Sequence, residues 1–218
     1  MKTIITFLFL LCVSGIAFPQ SAQDPVEAIK DLKEGVLVVR LRTFTNKINK
    51  LEEALASGNL SERARRDYKE ELEETRTEVA RENSQLRKAF ENLYGFSDVL
   101  FLYDTLAPQL KSDRPSGIFL NEAGAIDPAL VLEGPFLIAG IGLIAASEAA
   151  SGNDALIIYD REFNAMGKPF PGYAGVSTAR LLFRSFVSSS DEVQAFQLRI
   201  MVEKIDKKLS RYYWKQGR

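Results

Sequence analysis

Histidine does not occur in this chain of 218 residues, and cysteine occurs once, as Cys12. Without imidazole there is no Ser-His-Asp or Cys-His catalysis, no HExxH zinc site and no haem held by a proximal histidine. Neither sign of charge dominates, with 28 Lys and Arg against 29 Asp and Glu, so the chain is not a basic nucleic-acid binder. A hydrophobic content of 46% and a charged content of 26% also exclude disorder. No GxxxxGK phosphate loop, GxGxxG turn or GxSxG nucleophile elbow is present. Asp154, Asp160 and Glu162 are too few and too loosely spaced for a calcium site. The expectation is therefore no metal and no cofactor.

Long apolar runs are scarce as well. The first, Ile4 to Val13, follows Lys2 and leads into Ser14-Gly15-Ile16-Ala17. A basic start, a run of about ten apolar residues and a small-x-small site are the parts of a secretory signal peptide, and the run is half the length of a membrane span. Residues 1–22 are read as that signal, with cleavage after Ala17 or Ala22. A lipid-anchor reading needs small residues before Cys12, where Leu10 and Leu11 stand. Cleavage removes Cys12 and leaves a cysteine-free exported chain, which suits a bacterial periplasm or cell surface. The second run, Phe136 to Ala146, is flanked by Glu133, Pro135 and Glu148 and reads as a buried strand, so no span remains after signal cleavage.

Residues 23–35 read as a lead-in or short helix, and 36–218 as a single α+β domain. Val36–Leu41 is a strand with Leu37, Val39 and Leu41 on one face and Val36, Val38 and Arg40 on the other. Phe44, Ile48, Leu51 and Leu55 mark a first helix, broken at Ser57-Gly58-Asn59. Asn59 with Glu62 resembles the N-cap pair of a second helix that runs to Leu93. Its coiled-coil-like seam of Leu72, Val79, Leu86 and Leu93 alternates with Tyr68, Thr75, Glu82 and Ala89, and this half-polar stripe suits a single partner helix or sheet. The second helix outruns the first by about 28 Å at 1.5 Å per residue. The chain therefore returns to the opposite end of the sheet, and the next strand, Val99–Tyr103, should run parallel to the first through a right-handed crossover. Residues 44–93 form a projecting antiparallel helical hairpin.

A short helix or loop holding Pro108, the segment Ile118-Phe119-Leu120 and a hairpin of Phe136–Ile144 with Ala155–Tyr159 across Ser151-Gly152-Asn153-Asp154 follow. Ser177 is placed to cap a short helix through Leu181, Leu182 and Phe186. Ser189 and Glu192 form a capping box for a last helix with the stripe Leu198, Met201, Ile205, Leu209 and Tyr212. The fold class is α+β: a mixed sheet, the hairpin and C-terminal helices. By order of elements alone, with Pro135 ahead of the third strand, it is analogous to a thioredoxin-like arrangement, without the CxxC motif its redox chemistry requires.

Acids just beyond strands, Asp104, Asp160 and Glu162, are the candidates for carboxylate catalysis, although such residues are usually turn formers or caps. The stretch from Asp160 through Asn164, Lys168, Phe170 and Tyr173 joins stiff prolines to aromatic rings. It is the candidate partner- or ligand-binding loop, its plainer reading being a loop whose rings cover the core edge. Lys204, Lys207, Lys208, Arg211, Lys215 and Arg218 around Tyr212-Tyr213-Trp214 suit an anionic lipid surface or, more simply, a helix C-terminus.

Glu34-Gly35-x-Leu37-Val38-Val39-Arg40-Leu41, Phe96-Ser97-x-Val99, Gly117-Ile118-Phe119-Leu120, Asp160-x-x-Phe163-Asn164 and Pro169-Phe170-Pro171 resemble a group of uncharacterised exported proteins of Gram-negative bacteria. The resemblance spans nearly the whole mature chain and implies export and a single domain, with no activity and no site residues. The sequence thus reads as a non-catalytic interaction or scaffolding protein of the cell envelope with a protein partner. The alternative is a small-ligand binder, or a carboxylate-dependent hydrolase, near Asp160.

Overall fold

The computed structural model describes residues 21–112, 114–143, 154–177, 181, 185 and 188–216. Residues 1–20 of the expected signal segment, Ser151-Gly152-Asn153 of the expected hairpin turn, and Leu182 and Phe186 of the expected short helix lie outside the described residues. The domain is α+β. Helix α1 (Pro25–Glu34) leads into β1 (Val36–Leu41); α2 (Thr45–Ala56) and α3 (Glu62–Leu93) form the hairpin. Then come β2 (Asp98–Tyr103), a 3₁₀ helix (Asp104–Lys111), β3 (Phe136–Leu143), β4 (Asp154–Tyr159), β5 (Tyr173–Gly175) and α4 (Ser190–Gln216). The sheet order is β2-β1-β3-β4-β5. Strand β1 runs parallel to both β2 and β3, whereas β4 is antiparallel to β3 and β5.

Parallel pairing of β1 with β2 is what the unequal hairpin helices require. Alternation in β1 sets the two layers. Leu37, Val39 and Leu41 join Leu137, Ala139, Leu156 and Ile158 under α1, α3 and α4, which contribute Ile29, Leu32, Leu86, Phe90, Met201, Val202 and Ile205. Val38, Leu102 and Ile138 face the other way and are covered by the 3₁₀ helix and the loop after it, through Ala107, Leu110, Ile118, Phe119 and Leu132. Each large side chain so buried is worth about 1.5–3 kcal/mol. The segment before β1 belongs to the first layer: Ala28, Ile29 and Leu32 are fully buried, and Asp24 caps α1 by accepting from Val26 N and Glu27 N.

The hairpin departs from expectation in two details. Ser61 caps α3, its hydroxyl accepting from Ala64 N at 3.2 Å, and Asn59 is exposed in the turn. The helix begins at Glu62, so the cap must be the residue immediately before it. Phe44 is not part of the α2 stripe. It is 41% exposed and left-handed (φ 50°), and only Leu51 of α2 is buried, because among the described residues α2 packs chiefly on α3. On α3, Leu72, Thr75, Glu82, Leu86 and Ala89 are buried along the expected seam, covered by α2 toward the turn and α4 toward the sheet. The Ser189–Glu192 capping box forms in both directions.

The expected aromatic loop is largely core and strand. Phe170 is 2% exposed and packs edge-on against Tyr212 at 5.9 Å, and Tyr173 opens β5. Lys204 and Lys208 donate to the carbonyls of Gly175 and Tyr173 along that edge strand. These two lysines thus seal a sheet edge. Among the described residues no helix is long and apolar enough to cross a membrane.

Candidate functional site

Strand β1 is where the chain path divides. Its hairpin crossover to β2 passes over one face, and the connection from β2 back to β3 passes over the other. Open α/β sheets bind ligands beyond the carboxyl ends of strands at such a switch. The charged residues Arg40 and Arg42 stand there, at the end of β1.

Arg42 turns toward the hairpin layer. It donates to Asp154 through both terminal guanidinium nitrogens, at 3.1 and 3.4 Å, and lies 3.8 Å from Glu82. Asn83 Nδ2 donates to the Arg42 carbonyl, and Gln194 Nε2 to Glu82. Thr43 donates to Asp104 at 2.6 Å. Arg40 turns to the second face, where its guanidinium carbon is 5.3 Å from the centre of the Phe163 ring. The two non-glycine residues with positive φ among the described residues are Phe44 and Phe163, and Arg42 lies 5.9 Å over the first as Arg40 lies over the second. Strained backbone of this kind gathers at functional positions.

Tyr159 crosses the same face. A Cβ added at Gly142 would lie 3.0 Å from its phenol oxygen, and one at Gly140 would lie 3.9 Å from its ring and 3.7 Å from the Arg40 Cβ. Two side-chain-free positions on β3 thus leave room for the phenol beside Arg40. Burial raises the Tyr159 hydroxyl above its ordinary value, against the pull of Arg40 and Arg42, so it remains a hydrogen-bond donor at neutral pH.

The residues expected from sequence are placed otherwise. Asp160 is 3% exposed, and its carboxylate accepts from Glu162 N (3.0 Å), Asn164 N (2.8 Å) and Asn164 Nδ2 (3.2 Å). Both Asp160 and Asn164 are thus committed to holding the turn that carries Phe163. Lys168 is exposed, Phe170 is buried, and Tyr173 lies under the Lys208 ammonium at 5.0 Å. Asp104 follows β2 at the carboxyl edge and opens the 3₁₀ helix, whereas Asp160 follows β4, whose last residue pairs with Ile138 near the start of β3. These two acids sit at opposite edges of the sheet and do not form a catalytic pair. Sequence spacing singles out neither Arg40 nor Tyr159 as a site residue. The visible signal was one charged residue inside an otherwise apolar strand.

Glu82 gives the Arg42 cluster a pH dependence. Burial pushes its carboxyl above the ordinary 4.5; Arg42 pulls it down, and Asp154 and Glu78 push it further up. The folded state then holds this proton to higher pH than the unfolded chain does, so the contribution to stability declines as pH rises through that window. Glu82→Gln keeps an acceptor for Gln194, and Arg42 keeps Asp154. The variant is expected to flatten this decline and to raise the urea midpoint at neutral pH, read from unfolding curves above pH 4.5.

Among the described residues no group of acids could hold a metal ion. No protein-family model, curated protein or solved structure matches the chain.

Proposed function

We propose that this chain is an exported, non-catalytic adaptor of the bacterial cell envelope, and that α3 of its hairpin receives a basic segment of a partner protein. The observation that carries the reading is an acidic recess of about 1120 Å³ between α3 and the start of α4. Among the described residues, Glu70, Glu73, Glu74, Glu78 and Asp191 line it against one cation, Arg81, which already pairs with Asp191 at 2.8 Å. Glu70, Glu74 and Glu78 follow one another at i,i+4 spacing. Like charges so placed destabilise a helix by a few tenths of a kcal/mol per pair, which a cationic partner would relieve. The export part of the reading rests on the leader-like segment and on the resemblance to exported Gram-negative proteins.

The test is charge reversal of Glu70, Glu74 and Glu78 to Lys at these exposed positions. The mature protein, immobilised in envelope extract, should retain a basic partner that raised salt elutes. The triple variant, with its thermal melt unchanged, should lose about tenfold or more of that partner. Equal retention by both proteins would overturn the proposal.

A further inference from the structure

Two cations lie against one phenyl ring on the second face of the sheet. The Arg40 guanidinium carbon is 5.3 Å from the centre of the Phe163 ring, and the Lys111 ammonium is 5.8 Å from it. Among the described residues neither has a carboxylate within ion-pair distance. Arg40 Nε is buried with no hydrogen-bond partner. Arg81 and Arg87 also have a buried, unpartnered Nε, yet each pairs through its terminal nitrogens, and Arg40 does not. Two cations without a counter-charge among the described residues repel each other across one half-buried ring, and an anion between them removes that cost.

We infer that Arg40, Lys111, Tyr159 and Phe163 form a binding site for a small phosphate-type oxyanion, such as the head of a phosphate monoester. The site goes beyond the adaptor reading and involves none of the hairpin glutamates. The planar guanidinium offers a fork of N–H donors matched to phosphate, and Lys111 adds a second positive charge. The Tyr159 hydroxyl reaches the same face because Gly140 and Gly142 leave the floor of β3 open. Phe163 walls the site, and its left-handed backbone (φ 67°) is fixed by the Asp160 turn. Two cations and a phenol suit a dianion better than a single carboxylate. Arg42 is close enough to act on the Tyr159 phenol, but Asp154 and Glu82 neutralise it.

Titration calorimetry of the whole mature protein with inorganic phosphate, phenyl phosphate and acetate, at matched ionic strength in chloride, tests the assignment. Phosphate and phenyl phosphate should bind and acetate should bind at least about tenfold more weakly, since one charge-assisted pair is lost. Arg40→Gln and the surface variant Lys111→Gln should each weaken phosphate by about tenfold or more. The Lys111 variant keeps the test valid if the strand variant fails to fold. Phosphate binding that is absent, unchanged in Lys111→Gln, or no tighter than acetate would overturn the inference.

Discussion

Gly35→Ala is expected to destabilise the protein by about 3 kcal/mol or more, at the upper end of what overpacking a core costs. A Cβ at Gly35 would lie 2.0 Å from the Pro135 carbonyl oxygen and 2.8 Å from that of Asp31. Both obstacles are backbone, so no rotamer change relieves them. The Pro135 oxygen accepts from Val36 N at 3.1 Å, at the point where β1 and β3 begin to pair in parallel. The Asp31 carbonyl belongs to the last turn of α1, whose Ala28, Ile29 and Leu32 are fully buried. An added methyl therefore drives α1 from the core or separates the two central strands. Gly95→Ala is the control: its Cβ meets nothing within 4 Å, and Ala keeps the amide that donates to Asp206. The control should stay within about 1 kcal/mol of wild type. Equal urea midpoints for the two variants would show that the approach at Gly35 is not tight.

What the sequence made legible was local period. The alternation of Leu37, Val39 and Leu41 against Val36 and Val38 assigned both faces of the central strand, and the structure separates the same residues into two layers. The difference in helix length implied a parallel return, because rise per residue is fixed whatever the packing. The capping box at Ser189 was legible for the same local reason.

Features created by distant chain were hidden. Strand β5 is three residues long and exists because β4 offers it a ladder, so its own proline- and glycine-rich flanks read as loop. Phe44 continued the apolar spacing of α2, yet β1 delivers the chain into that helix through a left-handed residue. The basic site joins residues 40, 111, 159 and 163, and no spacing rule connects the end of a 3₁₀ helix to the middle of a sheet. Asp160 left two readings open in the sequence, a catalytic acid or, more simply, a turn former, and its carboxylate accepts from Glu162 N, Asn164 N and Asn164 Nδ2. That turn holds Phe163 at its positive φ, a consequence of the fold that the acid's place after a strand does not reveal.

Asp160→Ala should therefore cost about 2–3 kcal/mol, the scale of losing hydrogen bonds to a charged acceptor in a buried turn. Its removal leaves Glu162 N and Asn164 N without the oxygen they share, and frees Asn164 Nδ2. Asp160→Asn keeps one amide oxygen for the two backbone donors, so it should cost about half as much. Phe163 holds its positive φ inside this turn, with its own N–H bound to the Asp160 carbonyl at 3.2 Å. When the turn relaxes, Phe163 leaves the strained region and withdraws its ring from Arg40 and Lys111. Loss of stability and loss of phosphate binding should then appear together in Asp160→Ala and be graded through Asp160→Asn. An acid acting in catalysis behaves differently, since its amide variant loses turnover while stability holds. Unfolding curves and phosphate titrations of the two variants separate these cases: full stability in Asp160→Asn together with abolished turnover of any substrate would return Asp160 to the chemistry and remove it from the scaffold.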